Sequence, residues 1–189
     1  LNAATELKYP VRFVGKERRV YLSGEAYFEV QRDTPKPFIV VMNGNEVRVL
    51  GTEFNVRSYK DEKCQFTTLV TGKVLLTTHD RKCMELLPNE QGIVDPQGEL
   101  RKEQVDVALY TAWKDGVFAF KRQRLEEIMK VVARWYDVNV FWENVSQKEV
   151  TFTGKMKRYD DFSKVVEMLE MTGNTDFMIK ENNIFIREK

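Results

Sequence analysis

The sequence predicts an all-β domain, a sandwich or a short twisted β-solenoid, followed by an α+β domain with β-α-β-β-α-β-β order. Three observations carry this prediction. Over the first hundred residues, short runs of alternating apolar and polar residues are broken by turn residues about every ten positions, and no convincing helix appears. Near residue 104 the pattern changes. Beyond it, two stretches with apolar residues at helical spacing alternate with short β-branched and aromatic runs, the pattern of helices packed on a sheet.

In the first part, Glu46-Val47-Arg48-Val49-Leu50 and Phe54-Asn55-Val56-Arg57 place an apolar residue at every second position, so each strand turns one face to a core and the other to water. Turns are expected at Pro35-Lys36-Pro37, Asn43-Gly44-Asn45, Thr71-Gly72 and Asp95-Pro96-Gln97-Gly98, whose residues supply a preset bend or positive φ. A weak echo links Leu22-Ser23-Gly24, Leu50-Gly51 and Thr71-Gly72, each leading into paired apolar residues. Its period of about 20 to 27 residues fits stacked β coils, which keeps a solenoid beside the sandwich.

Residues 1–104 form the all-β domain in this reading, 105–116 the junction, and 117–189 the second domain. The second domain opens with the apolar strand Val117-Phe118-Ala119-Phe120. Leu125, Ile128, Met129, Val132 and Tyr136 then predict an amphipathic helix of about three turns. Glu126 and Glu127 lie in its first turn, where negative charge suits the exposed amides. Strands are expected over 138–142 and 149–154, then a second helix with Asp160 as N-cap, a buried stripe of Phe162, Val165, Val166 and Leu169, and Gly173 as the left-handed residue after its end. Residues 176–180 and 183–187 form a hairpin through Glu181-Asn182, and one sheet face is buried under both helices.

Lysine plus arginine (30) nearly balances aspartate plus glutamate (29), so no global field favours nucleic acid, an anionic membrane surface or an acidic substrate. No apolar run is long enough to span a bilayer, and the start, Leu1-Asn2-Ala3-Ala4, lacks signal-peptide features and reads as the start of a fragment. Cys64 and Cys83 lack metal-ligand spacing with His79. They either form a disulfide worth roughly 3 kcal/mol, given an oxidising compartment, or stay free and buried.

Few residues invite chemistry. Glu25, Tyr27 and Glu29 share a strand face and could pair carboxylates for glycoside hydrolysis, but a solvated outer face accounts for them, with Ala26, Phe28 and Val30 filling the core. His79 sits in a polar turn, and Gly24, Gly51, Gly72 and Gly98 form no phosphate-binding pattern. Lys114, Lys121, Arg122 and Arg124 flank Phe118 and Phe120 as a nucleic-acid platform would, yet Asp115, Glu126 and Glu127 cancel much of their field. Trp113, Trp135 and Trp142 read as core or junction anchors. Trp113-Lys114-Asp115-Gly116 is a candidate hinge.

Four segments in order resemble the FecR domain: Arg19 to Val30, Pro37-Phe38-Ile39-Val40, Val47 to Val56, and Leu69-Val70-Thr71-Gly72-Lys73-Val74. The stretch from Trp113-Lys114-Asp115-Gly116 through Phe118-Ala119-Phe120 and Leu125-Glu126-Glu127-Ile128 to Trp135-Tyr136-Asp137-Val138 resembles the C-terminal domain of Bacteroidetes-type members, which is similar to the short N-terminal domain of secretins and TonB-dependent transducers. The resemblance implies a non-enzymatic, FecR-type anti-sigma regulator without cofactor or metal: the periplasmic domain of a single-pass inner-membrane protein. It also implies two protein partners. One is the periplasmic signalling domain of a TonB-dependent outer-membrane transporter; the other is a sigma factor, reached through a cytoplasmic segment that lies, with one membrane-spanning helix, upstream of this chain. No nucleic acid is implied. The alternative is a carbohydrate-binding or cell-wall-associated β module.

The candidate partner-binding feature is an open sheet edge in the second domain, where a partner strand could add by backbone hydrogen bonding. The two edges proposed from the sequence are Thr151-Phe152-Thr153 and Ile184-Phe185-Ile186.

Overall fold

The computed structural model describes residues 1–158, 161–171 and 174–189. The chain divides into two compact units, Leu1–Thr111 and Ala112–Lys189.

The first unit is built on ten strands: β1 (Glu6–Lys8), β2 (Arg18–Val30), β3 (Phe38–Met42), β4 (Asn45–Val49), β5 (Thr52–Ser58), β6 (Gln65–Thr71), β7 (Val74–Thr77), β8 (Cys83–Leu86), β9 (Glu90–Val94) and β10 (Leu100–Gln104). Its organising element is the 13-residue β2, which serves two half-sheets. Residues 18–21 pair in parallel with β3, and residues 24–30 pair antiparallel with β5. From β2 the order runs β3-β4-β7-β8 in one direction and β5-β6-β9-β10 in the other. Every pairing in this unit except β2–β3 is antiparallel, which makes it a folded sheet with a sandwich core rather than a stack of parallel coils.

Alternation along β2 explains how one strand feeds both halves. Val20, Leu22 and Ala26 turn inward and are buried among Val40, Val47, Phe54, Leu69, Leu76 and Leu86. Phe28 continues the phase and stacks on its cross-strand partner Phe54 at 5.2 Å. Gly24, the first residue of the region paired with β5, has φ +117, and a Cβ there would lie 2.7 Å from Thr5 Cα, so only glycine admits the N-terminal segment at this point. The unit closes with a short helix, α1 (Val107–Thr111), inside the stretch expected to be a junction.

The second unit follows the expected order: β11 (Val117–Arg124), α2 (Leu125–Tyr136), β12 (Asn139–Trp142), β13 (Thr151–Lys157), α3 (Phe162–Met171), β14 (Thr175–Lys180) and β15 (Asn183–Glu188). Leu125, Ile128, Met129 and Val132 of α2 are buried, as are Val165, Val166 and Leu169 of α3. Asp137 ends α2 in the left-handed conformation and donates its amide to the Ala133 carbonyl. Asp160 and Gly173, the expected caps of α3, lie outside the described residues; Asp161 accepts a bond from the Ser163 amide at 3.1 Å.

The strands form two sheets, not the single sheet expected. β11 pairs with β13, while β12, β15 and β14 form a three-stranded sheet with β15 in the centre. The split arises because β12 pairs in parallel with β15, joining residues more than forty positions apart. Both sheets pack the same core, in which Phe118, Phe120, Phe152 and Met156 meet Leu125, Ile128, Ile184 and Ile186.

Candidate partner-binding site

The β11–β13 ribbon is antiparallel, with Val117 opposite Lys157 and Phe120 opposite Gly154. Alternation sends Phe118, Phe120, Phe152 and Met156 into the core and leaves Thr151, Thr153, Lys155 and Lys157 exposed. A bulge interrupts the pairing between Phe120 and Gln123. There Arg122 has φ 50, and its amide donates to Thr153 Oγ1 at 2.8 Å.

The Arg158 amide donates to the Gly116 carbonyl at 2.8 Å, which fixes the phase of the ladder. In antiparallel pairs, residues alternate between bonding their partner and pointing away, so the amides and carbonyls of Lys155 and Lys157 point away from β11. Among the described residues no strand pairs with that side. The Thr151-Phe152-Thr153 segment therefore belongs to a strand with an open edge.

The other expected edge does not exist. β15 is hydrogen-bonded to β12 on one side and to β14 on the other, so Ile184-Phe185-Ile186 cannot accept a further strand. Ile184 and Ile186 are buried, and Phe185 stacks on Phe141 at 5.1 Å. A hairpin at the chain's end reads as an outer pair only while its parallel neighbour is unknown. The outer side of β14 is partly blocked as well, because the Phe177 amide donates to Glu170 Oε1 at 2.9 Å.

Arg158 anchors the end of β13 and escaped the sequence reading. It is 3% exposed, its Nη1 donates to the Trp113 carbonyl at 2.7 Å, and its guanidinium carbon lies 3.6 Å from the Trp135 ring centroid. Its own carbonyl accepts from Trp135 Nε1 at 2.8 Å and from the Tyr136 hydroxyl at 2.9 Å. The available signal was phase: Arg158 continues the strand face on which Phe152 and Met156 are buried. These bonds hold Trp113–Gly116 within the second unit, so the proposed hinge could bend there only by breaking them.

The remaining candidates resolve individually. Glu25 is not on a solvated face; it is 7% exposed because Asn2 to Thr5 fold back over it. Its two oxygens accept from Asn55 Nδ2 at 2.9 Å and Asn2 Nδ2 at 2.6 Å. Burial pushes its carboxyl above the usual carboxylate range, opposed by Arg57 opposite it and by both amides. Burial disfavours the Arg57 charge, but the bidentate Glu62 carboxylate, at 2.8 and 2.7 Å, more than offsets this and raises its pKa. Glu29 is exposed and the Tyr27 hydroxyl donates to Glu53, so no carboxylate pair faces a shared cleft here.

His79 is exposed beside Asp80. Cys64 and Cys83 are free, and neither is fully buried, since Cys83 lies exposed on the β7–β8 hairpin. Trp113, Trp135 and Trp142 are all half-buried, and Lys148 covers the ring of Trp142 at 5.7 Å. Phe118 and Phe120 face the core, so they offer no stacking platform.

Comparison with known proteins finds matches to both parts of the chain. The family described as FecR protein matches residues 1–75, and that described as FecR, C-terminal matches residues 117–186. Two crystal structures of a protein from Parabacteroides distasonis ATCC 8503, assigned as an anti-sigma factor and determined at 1.65 and 2.50 Å, are each 30% identical with a TM-score of 0.90. Each aligns with 100% of this chain, which covers 89% and 88% of theirs. No curated protein matches.

Proposed function

This chain belongs to the FecR-type anti-sigma regulators, and from that premise we propose that it is the periplasmic relay of a single-pass inner-membrane regulator. In this reading it binds the signalling domain of a TonB-dependent outer-membrane transducer. It passes that event to an extracytoplasmic-function sigma factor through a segment on the cytoplasmic side. Residues 105–116 join the all-β domain, 1–104, to the signalling-type domain, 117–189.

One observation carries the docking part of this reading: β13 presents outward amides and carbonyls that no other strand uses among the described residues. An extended partner segment adding there gains backbone bonds with little rearrangement, and Thr151-Phe152-Thr153 through Lys157 set its register. No helix of the structure is long and apolar enough to cross a membrane, so the reading places the anchor outside the described residues.

The test is calorimetric titration of residues 1–189 with the periplasmic signalling domain of the transporter encoded beside it, for the wild type and for Lys155→Pro. Proline at 155 deletes an amide that points away from β11, so the ribbon keeps its own bonds while losing a docking donor. Binding by the wild type and its loss in a folded Lys155→Pro supports the reading. Absence of any complex with the wild type at high micromolar concentration overturns it.

A further inference from the structure

The two strands of the ribbon, Val117–Arg124 and Thr151–Lys157, carry five cationic side chains and no acidic one. The sequence suggested that acidic neighbours neutralise this run. The structure separates the charges. Asp115 pairs with Lys114 at 3.0 Å, Glu126 and Glu149 pair with Arg124, and Glu127 pairs with Lys130 at 3.4 Å. Lys121, Arg122, Lys155 and Lys157 form no ion pair among the described residues, and all four are exposed.

This leaves four uncompensated positive charges on one short ribbon of a chain whose net charge is only +1. Lys155 and Lys157 stand opposite Ala119 and Val117, so they share the outer face with small or apolar neighbours. The residues whose amides point to the open edge are the same two. A strand that bonds to that edge thus meets lysine charges at every second position of its own length. The cost of leaving these charges without counterions falls when the incoming strand is acidic, and rises when it is basic.

We infer that the open edge of β13 selects an acidic extended segment of a protein partner, one that places carboxylates at alternate positions beside Lys155 and Lys157. This inference rests on the docking reading above and adds the chemistry of the partner strand. Exposed lysines alone would attract any polyanion; unused backbone donors and acceptors between them favour a strand.

The experiment uses residues 1–189 labelled for NMR and two blocked peptides, one alternating glutamate with threonine and one alternating glutamine with threonine. The acidic peptide should shift the amides of Lys155 and Lys157 saturably, and bind about tenfold tighter than its glutamine counterpart at low salt, with the gap closing as salt screens the charges. Lys155→Glu/Lys157→Glu, two exposed changes compatible with the fold, should invert that preference. Equal shifts by both peptides, or no shift at β13 with either, overturns the inference.

The transporter's signalling domain is titrated in parallel. If it binds the wild type and the double variant equally, the relay reading survives and the acidic-strand inference fails. If it does not bind while the acidic peptide does, the reverse holds.

Discussion

Arg158 lies face-on against Trp135, its guanidinium carbon 3.6 Å from the indole centroid, while its carbonyl accepts the bond from that same indole's Nε1. One residue thus fixes both the face and the edge of the ring, and with Nη1 on the Trp113 carbonyl it ties β13 to α2 and to the turn before β11. A buried guanidinium is stabilised here by a carbonyl and two aromatic faces, Phe118 lying 5.4 Å away on its other contact.

Arg158→Ala should therefore destabilise the second unit by about 2–4 kcal/mol, from lost cation–π contact and a lost charge-assisted bond in a buried site. Arg158→Lys should recover only part, because an ammonium cannot stack flat on the indole. All three tryptophans lie in Ala112–Lys189, so urea unfolding followed by tryptophan fluorescence reads this unit alone. An unchanged midpoint for Arg158→Ala would contradict the assignment.

A second expectation concerns Glu25. Its folded pKa is raised by burial, so the folded protein holds this proton more tightly than the unfolded chain does. The unfolded chain releases it near pH 4.5, and between that pH and the raised folded value the folded state binds more protons. Glu25 therefore subtracts stability as pH rises through that window, with Arg57, Asn2 and Asn55 limiting the loss. Thermal unfolding of the wild type and Glu25→Gln from pH 4 to pH 8 should show the wild type losing ground relative to the variant as pH rises; parallel curves would exclude it.

Gly24→Ala tests what the Glu25 burial depends on. The added Cβ would meet Thr5, whose Oγ1 accepts from the Glu25 amide at 2.9 Å, and the backbone φ of +117 disfavours alanine. The variant should cost about 1–3 kcal/mol and release residues 2–8 from β2. Faster hydrogen exchange at the paired residues Glu6, Leu7 and Lys8 would register that release.

Sequence alone made some of this legible because the signal was local. The α2 stripe of Leu125, Ile128, Met129 and Val132 repeats within one helix, and the Lys180-to-Asn183 hairpin turns on two adjacent residues. Partner choice between distant strands is not local: nothing in Phe141 or Phe185 announces that β12 lies parallel to β15. Glu25 looked solvated because its cover comes from Asn2 to Thr5, twenty residues earlier. The ribbon charges look cancelled in the sequence because acidic residues adjoin them there, whereas Glu126 and Asp115 are committed to Arg124 and Lys114.

Glu170 supplies the last expectation, and it sets the β14 edge apart from the β13 edge. By the ladder phase set where the Lys189 amide meets the Asn174 carbonyl, the Phe177 amide points away from β15, and Glu170 Oε1 takes it at 2.9 Å. Glu170→Ala should leave that donor bare, costing about 1–2 kcal/mol, while Glu170→Gln keeps an acceptor and should cost little. Exposing the β14 edge should also promote strand-to-strand self-association, since an uncapped edge is a pairing template. NMR exchange of the Phe177 amide and sedimentation across a concentration series would show both effects in Glu170→Ala alone; equal behaviour of the two variants would mean that the carboxylate does not guard this edge.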